Sequence, residues 1–179
     1  IVDNTNDTIE DSSGTDTVRT SASFDLSDTK VAGGTGIEHL LYTGTTTGVS
    51  LTGNIIANSI TGAAGSDTLD GKAGNDTLIG GAGDDYYVYT ATAGNDRIVD
   101  FDGTDTILTD TSFDLAATTL NTSVVGLANI ENIQLTSTTG ASLFGNSLNN
   151  SIIGNSGNDT LNGRASSGTL SGDTLNGGD

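Results

Sequence analysis

Residues 62–88 read GAAGSDTLD, GKAGNDTLI and GGAGDDYYV, three nine-residue units in phase with nothing between them. Glycine opens each unit (Gly62, Gly71, Gly80) and returns at the fourth place (Gly65, Gly74, Gly83). Aspartate holds the sixth place (Asp67, Asp76, Asp85), and a large apolar residue holds the eighth (Leu69, Leu78, Tyr87). Nine residues suffice for one tight turn and one short strand. Glycine at two fixed places lets the turn visit φ > 0 without a Cβ penalty. The apolar residue starts the strand and points inward, while its neighbours point out. One unit alone buries almost nothing. Such a chain is stable only as a stack of units, and a fixed period is the mark of a solenoid.

The chemistry of the turn is that of a hard cation. An aspartate between two glycines offers carboxylate oxygens, and a tightly wound turn offers carbonyls. Ca²⁺ takes six to eight such oxygens at about 2.3–2.6 Å. On these residues the chain resembles the RTX family of secreted bacterial calcium-binding proteins. The resemblance implies a right-handed parallel β-roll in which two nonapeptides make one coil. Turns alternate between two sides, and calcium lies between same-side neighbours. Carried onto this chain, Asp67 and Asp85 stack on one side and Asp76 lies on the other. The resemblance further implies that the carbonyls of Gly62, Ala64, Ser66, Gly71, Ala73, Asn75, Gly80, Ala82 and Asp84 complete the shells of several Ca²⁺ ions.

The phase runs beyond this stretch. Gly44 and Gly53 extend the glycine ladder backward, and Leu51 and Ile60 extend the apolar one. Their sixth places hold Val49 and Asn58, so these coils keep the fold without a full metal site; Asn58 still offers one oxygen. Asp7, Asp16 and Asp25 are nine apart. After Tyr87 the phase slips by two, then resumes with Asp96, Asp105 and Asp114. It lapses over residues 28–43 and 116–132, read as wider coils or bulging loops. It returns at Leu143, Ile152, Leu161 and Leu170, where only GNSGNDTLN with Asp159 is a good metal unit. The candidate carboxylates are therefore Asp67, Asp76 and Asp85, then Asp159, then Asp96 and Asp105. Asp7, Asp16, Asp25, Asp114 and Asp173 read as turn-forming acids that bond their own backbone.

A longer repeat overlies the short one. NDTIEDSSGTDTV answers NDRIVDFDGTDTI, GIEHL answers ANIENI, and GNIIANSIT answers GNSLNNSII. The chain divides into two tandem blocks, 1–88 and 89–179, each a looser solenoid followed by nonapeptides (44–88 and 136–179).

Charge decides the partners. There are 23 acids against 5 bases, a formal charge of −18. A chain this acidic and this poor in apolar bulk is disordered unless a ligand neutralises it. It repels nucleic-acid phosphates. No stretch reaches the ~18 apolar residues of a membrane span. There is no cysteine, hence no disulfide or thiolate site. Neither an N-terminal leader nor a C-terminal export signal stands out, which fits a processed or partial chain.

No catalytic pattern is present. The lone histidine, His39, cannot make a two-histidine zinc site, and GNSLN at 145–149 fails the nucleophile-elbow pattern at its last place. Tyr86, Tyr87 and Tyr89 read as a cap on the apolar core with wet hydroxyls, ahead of a sugar-stacking site. The sequence thus reads as an all-β, calcium-dependent parallel solenoid without enzymatic activity. Its expected role is structural: a module of a secreted bacterial fibre, matrix or adhesin. It folds on Ca²⁺ outside the cell and associates head to tail, with a cell surface or polysaccharide as outer partner. The alternatives are a passive domain of a secreted protease, lipase or epimerase, and an ice-binding roll. The last needs a repeated flat surface, which the fifth places Gly48, Ala57, Ser66, Asn75 and Asp84 do not make.

Overall fold

The computed structural model describes residues 9–10, 13–27, 31–32, 36–45, 48–100, 102–116, 126–164 and 172–178. Asp7, Gly168 and Leu170 lie outside them. Glycine at the ends of each unit keeps strands to three residues: Ser50–Thr52 (β6), Ser59–Thr61 (β7), Thr68–Asp70 (β8) and Thr77–Ile79 (β9). Each pairs in parallel with the next strand but one. Leu51 lies opposite Leu69, and Ile60 opposite Leu78. Two nonapeptides therefore make one coil, and successive strands fall on opposite faces.

One face is an eight-stranded parallel sheet. It runs from Phe24–Asp25 (β3) through β6, β8, Tyr86–Tyr89 (β10), Thr106–Thr109 (β12), Asn132–Leu135 (β14) and Ser151–Ile153 (β16) to Thr174–Asn176 (β18). The other face begins as five strands: Asp16–Thr20 (β2), Ile37–Tyr42 (β5), β7, β9 and Arg97–Val99 (β11). It resumes as three: Phe113–Asp114 (β13), Ser142–Phe144 (β15) and Thr160–Asn162 (β17). Between them stands a 3-10 turn at Leu127–Asn129, the only helical element among the described residues long enough to name. Gly126, with φ of 93°, lies directly over the Ile98 carbonyl, where a Cβ would overlap it. A separate pair joins Ile9–Glu10 (β1) to Val31–Ala32 (β4).

The core is a double file of single side chains. Leu51, Leu69, Tyr87, Ile107, Ile133 and Ile152 come from one face, and Val18, Leu40, Ile60, Leu78 and Ile98 from the other; all are buried. The first segment without the nonapeptide phase, 28–43, carries β5, the wider coil of its two expected readings. Of the second, 116–132, residues 117–125 lie outside the described residues, and β14 begins at its last residue. Buried apolar residues of these strands join the inward file: Ile37, Leu40 and Tyr42 in β5, Ile133 and Leu135 in β14.

The three-residue strands β6 to β9 each place one residue in the core, so file positions should differ energetically where burial differs. Leu69 is fully buried, whereas Leu175 on the terminal strand β18 is 47% exposed. Leu69→Ala should cost about 2–5 kcal/mol, and Leu175→Ala about 1 kcal/mol or less, by denaturant melts in saturating calcium. Equal losses would contradict this reading of the core.

Candidate metal centre

The turns on each side are tied by their acids. At the sixth place the chain has left the turn but not yet entered the strand ladder, so its backbone N–H needs an acceptor. The sixth-place acid of the next coil supplies one. Val49 N donates to Asp67 Oδ1 (2.9 Å), Asp67 N to Asp85 Oδ1 (2.7 Å), and Asp85 N to Asp105 Oδ1 (2.8 Å). Asp105 N closes the column on Glu131 Oε2 (2.9 Å). On the other side Asn58 N donates to Asp76 Oδ1 (2.7 Å), and Asp76 N to Asp96 Oδ1 (3.0 Å). Asp67 and Asp85 thus share one side and Asp76 the other, and the structure adds Asp105 and Asp96 to the two columns.

The second carboxylate oxygen separates the units. Asp67 Oδ2 accepts the N–H of second-place Ala63 (3.0 Å), and Asp159 Oδ2 accepts that of Asn155 (2.9 Å). In the Asp76 and Asp85 units the second place is left-handed, at Lys72 (φ 68°) and Gly81 (φ 119°). The Lys72 N–H goes to Asp70 Oδ1 instead (2.9 Å). Asp76 Oδ2 and Asp85 Oδ2 are buried with no hydrogen-bond partner. A buried, unpaired carboxylate oxygen is costly, and a cation satisfies it. The residues present therefore fit calcium.

The glycines serve two purposes, not one. Of the first and fourth places, the fourth is the left-handed one, with φ of 103°, 140° and 119° at Gly65, Gly74 and Gly83. The first-place Gly62, Gly71 and Gly80 are not. There a Cβ would fall on Oδ2 of the unit's own aspartate, so glycine keeps the space that oxygen occupies.

Electrostatics follow burial. Desolvation pushes the carboxyls of Asp76, Asp85 and Asp105 up to about 7, and that of Asp96 up to about 6. The N–H bond that each accepts pulls back, and neighbouring acids push up again.

The other candidates divide. Asp159 is half-buried, and both its oxygens hold backbone, Oδ1 taking Ala141 N (2.9 Å). Of the turn residues, Ala82 gives its carbonyl to Gly65 N (2.8 Å), which leaves one lone pair. Asn75 Oδ1 accepts Asn95 N (3.1 Å), and Asp84 Oδ1 accepts Thr104 N (2.9 Å). Asn58 keeps one lone pair on its side-chain oxygen. Its Oδ1 takes Asn54 N (2.8 Å), and its amide donates to Ile37 O (2.9 Å). Asp114 is buried and paired with Arg164 Nη1 (2.8 Å), which lies over the Phe144 ring. Tyr87 departs from the expected wet cap: ring and hydroxyl are both buried, and the hydroxyl donates to Asp100 Oδ2. Asp100 itself escaped sequence reasoning. It stands at the first place of its unit, where the repeat has glycine, and that substitution was its one signal. Oxygens of Asp85, Asp100 and Asp105 lie within 4.8 Å of one another.

Two outcomes are expected. Asp76→Ala should move the calcium midpoint upward more than tenfold in a titration followed by circular dichroism. Asp114→Ala should leave that midpoint nearly unmoved while lowering stability in saturating calcium by roughly 1–3 kcal/mol, since Arg164 loses its partner. The second outcome concerns pH. The four raised carboxyls bind protons more tightly in the metal-free fold than in the unfolded chain, whose aspartates titrate near 3.8. Their contribution to the metal-free fold is complete below that value and disappears as pH rises through about 7. Calcium must displace those protons, so its apparent affinity should fall between pH 8 and 6 with proton release on binding. A pH-independent calcorimetric titration over that range would refute the assignment.

The comparisons agree with this geometry. The sequence matches the family model of the RTX calcium-binding nonapeptide repeat in 4 copies, over residues 52–87, 88–115 and 144–176. No curated protein and no solved structure matches the chain. The matched segments cover more than half of the sequence and contain both acid columns from Asp67 to Asp105: the chain belongs to the RTX calcium-binding nonapeptide-repeat family.

Proposed function

We propose that the chain is a structural module of a secreted extracellular assembly, which folds on Ca²⁺ and stacks end to end as a fibre, matrix or adhesin element. The observation that carries this is the pair of buried, unpartnered oxygens, Asp76 Oδ2 and Asp85 Oδ2, in a chain of charge −18. Calcium bound only by the folded state is folding free energy. Extracellular modules bind it at about 10⁻⁴–10⁻³ M, so the chain stays unfolded at cytosolic calcium and folds outside. In this reading Asp67, Asp76, Asp85, Asp96 and Asp105 are ligands. The carbonyls of Gly62, Ala64, Ser66, Gly71, Ala73, Asn75, Gly80, Ala82 and Asp84 complete the shells, and Asp159 holds a weaker ion.

The module is two tandem blocks, 1–88 and 89–179. Matched hydrogen bonds support the division. Asp16 N to Glu38 Oε2 (2.8 Å) answers Asp105 N to Glu131 Oε2 (2.9 Å). Asn54 Nδ2 to Ile37 O (2.9 Å) answers Asn146 Nδ2 to Ile130 O (2.8 Å). Ser50 N to Ser23 Oγ answers Ser142 N to Ser112 Oγ, each 2.9 Å. The blocks are offset by half a coil: β2 lies in the five-stranded sheet, and its counterpart β12 in the eight-stranded one. The same step, repeated, adds copies along one axis, and a heterologous contact that does not close gives an open filament.

Circular dichroism and electron microscopy of the 179-residue chain test both parts. β structure that appears with calcium and disappears with chelator, together with chelator-sensitive fibres, is expected. A β spectrum indifferent to chelator would refute calcium-dependent folding, and dispersed monomers in calcium would refute self-association.

A further inference from the structure

We propose that the outward side of the five-stranded sheet binds one extended chain of an acidic polysaccharide, gripped at its two ends by Arg19 and Arg97. The inference rests on the extracellular reading above and names the partner. In this sheet Val18, Leu40, Ile60, Leu78 and Ile98 are buried and point inward, so the residues on either side of them point out. Strand register sets the outward residues in two rows. One runs Thr17, His39, Ser59, Thr77 and Arg97; the other runs Arg19, Leu41, Thr61, Ile79 and Val99. Neither row contains an acid, in a chain that has 23.

The acids that adjoin these strands are turned to the backbone. Glu38 Oε2 accepts Asp16 N (2.8 Å), Asp76 Oδ1 accepts Asn58 N (2.7 Å), and Asp96 Oδ1 accepts Asp76 N (3.0 Å). The bases are distributed the other way. Outside the two rows, Lys72 pairs with Asp70 (2.9 Å) and Arg164 with Asp114 (2.8 Å). Arg19 and Arg97 are exposed and form no ion pair with any described residue. They stand at opposite ends of the strip, Arg19 on β2 and Arg97 on β11. Beyond β11 the strip is closed by Gly126, which lies over the Ile98 carbonyl.

Size and spacing select the occupant. Four strand steps separate β2 from β11, which makes the strip about 19 Å long and about 7 Å wide. That is several-fold less than the roughly 800 Å² that each partner of a stable protein complex buries, but it accommodates a single polymer chain. The polymer is anionic, because a guanidinium fork takes a carboxylate through two parallel hydrogen bonds. Its charges are sparse, because the hydroxyls of Ser59, Thr61 and Thr77 lie between the arginines, not further cations. Nucleic acid suits this strip poorly. A duplex carries one charge per ~1.7 Å, single strands are held by aromatic stacking, and the rows contain no phenylalanine, tyrosine or tryptophan. A polysaccharide whose carboxylates are set apart by neutral sugars offers both groups the strip can take. Its carboxylates meet the arginines, and its hydroxyls meet serine and threonine. Calcium in the acid columns offsets the negative field through which it approaches.

The probe is hyaluronan octasaccharide, which carries a carboxylate on alternate sugars and no sulfate, added to the calcium-folded chain. Backbone NMR should show shifts in β2, β5, β7, β9 and β11 and none in the eight-stranded sheet. Arg19→Thr and Arg97→Thr give each row a residue it already carries, at Thr61 and Thr77. Each should keep the β spectrum and weaken binding roughly tenfold, and the double variant should abolish it. Lys72→Asn, outside the strip, should bind as the wild type does. Wild-type affinity in the double variant would overturn the strip, leaving calcium bridges between polymer and acids as the cause. Absence of binding, or shifts confined to the eight-stranded sheet, would overturn it equally. So would single-stranded DNA bound more tightly than the octasaccharide, which would make this a nucleic-acid surface. Binding through the strip in a chain whose β spectrum ignores chelator would support this inference while refuting calcium-dependent folding.

Discussion

The interaction on which this fold depends is the bond from a sixth-place backbone N–H to a carboxylate one coil further on. It fixes the spacing of turns on each side, because Asp67, Asp85 and Asp105 each reach back to the preceding turn. It also forces the acids inward. An oxygen that receives a buried N–H must itself be buried, and the carboxylate brings its charge with it. The two columns therefore collect negative charge along the axis of a chain whose inward apolar file is one side chain wide. Ordinary globular domains avoid that arrangement, since like charges at low dielectric repel strongly. A calcium-binding β-roll accepts it because the ion is part of the fold.

The period was legible because it has a simple physical cause. A turn of fixed length followed by a strand of fixed length puts Leu69, Leu78 and Tyr87 nine apart, and nothing else in a sequence imitates three such units in a row. The lapsed segments were harder to read. Ile37–Tyr42 keeps only apolar residues at 37, 40 and 42, and so short a pattern carries little information without its turns. Glu38 and Glu131 were visible as a matched pair, but their work was not. They cap the N–H of Asp16 and Asp105 from more than twenty residues away, and only the stacking of coils brings them there.

The glycines illustrate the same limit from another side. Sequence reasoning assigned both glycines of a unit to backbone conformation. The fourth place obeys it, but the first place is glycine because a carboxylate oxygen sits where its Cβ would be. Steric exclusion by a neighbouring side chain and a left-handed φ leave the same letter in a sequence. Asp100 reverses the rule: where the first-place residue comes from a unit whose geometry turns it toward the column, an acid replaces the void.

The chain has three ways to satisfy a buried acceptor in its turns, and their placement shows where calcium matters. Asn58 and Asn150 use an amide, which accepts a second-place N–H and donates to a carbonyl, Ile37 or Glu131, without any charge. Asp114 uses the guanidinium of Arg164, itself held over Phe144. Asp76 and Asp85 use neither, because the left-handed second places at Lys72 and Gly81 turn away the N–H that serves Asp67. Amide and guanidinium coils are complete within the polypeptide. Asp76 Oδ2 and Asp85 Oδ2 lie between residues 62 and 105, where the eight-stranded sheet continues on either side and the five-stranded sheet ends at β11. An ion bound there would join the coils before it to the coils after it.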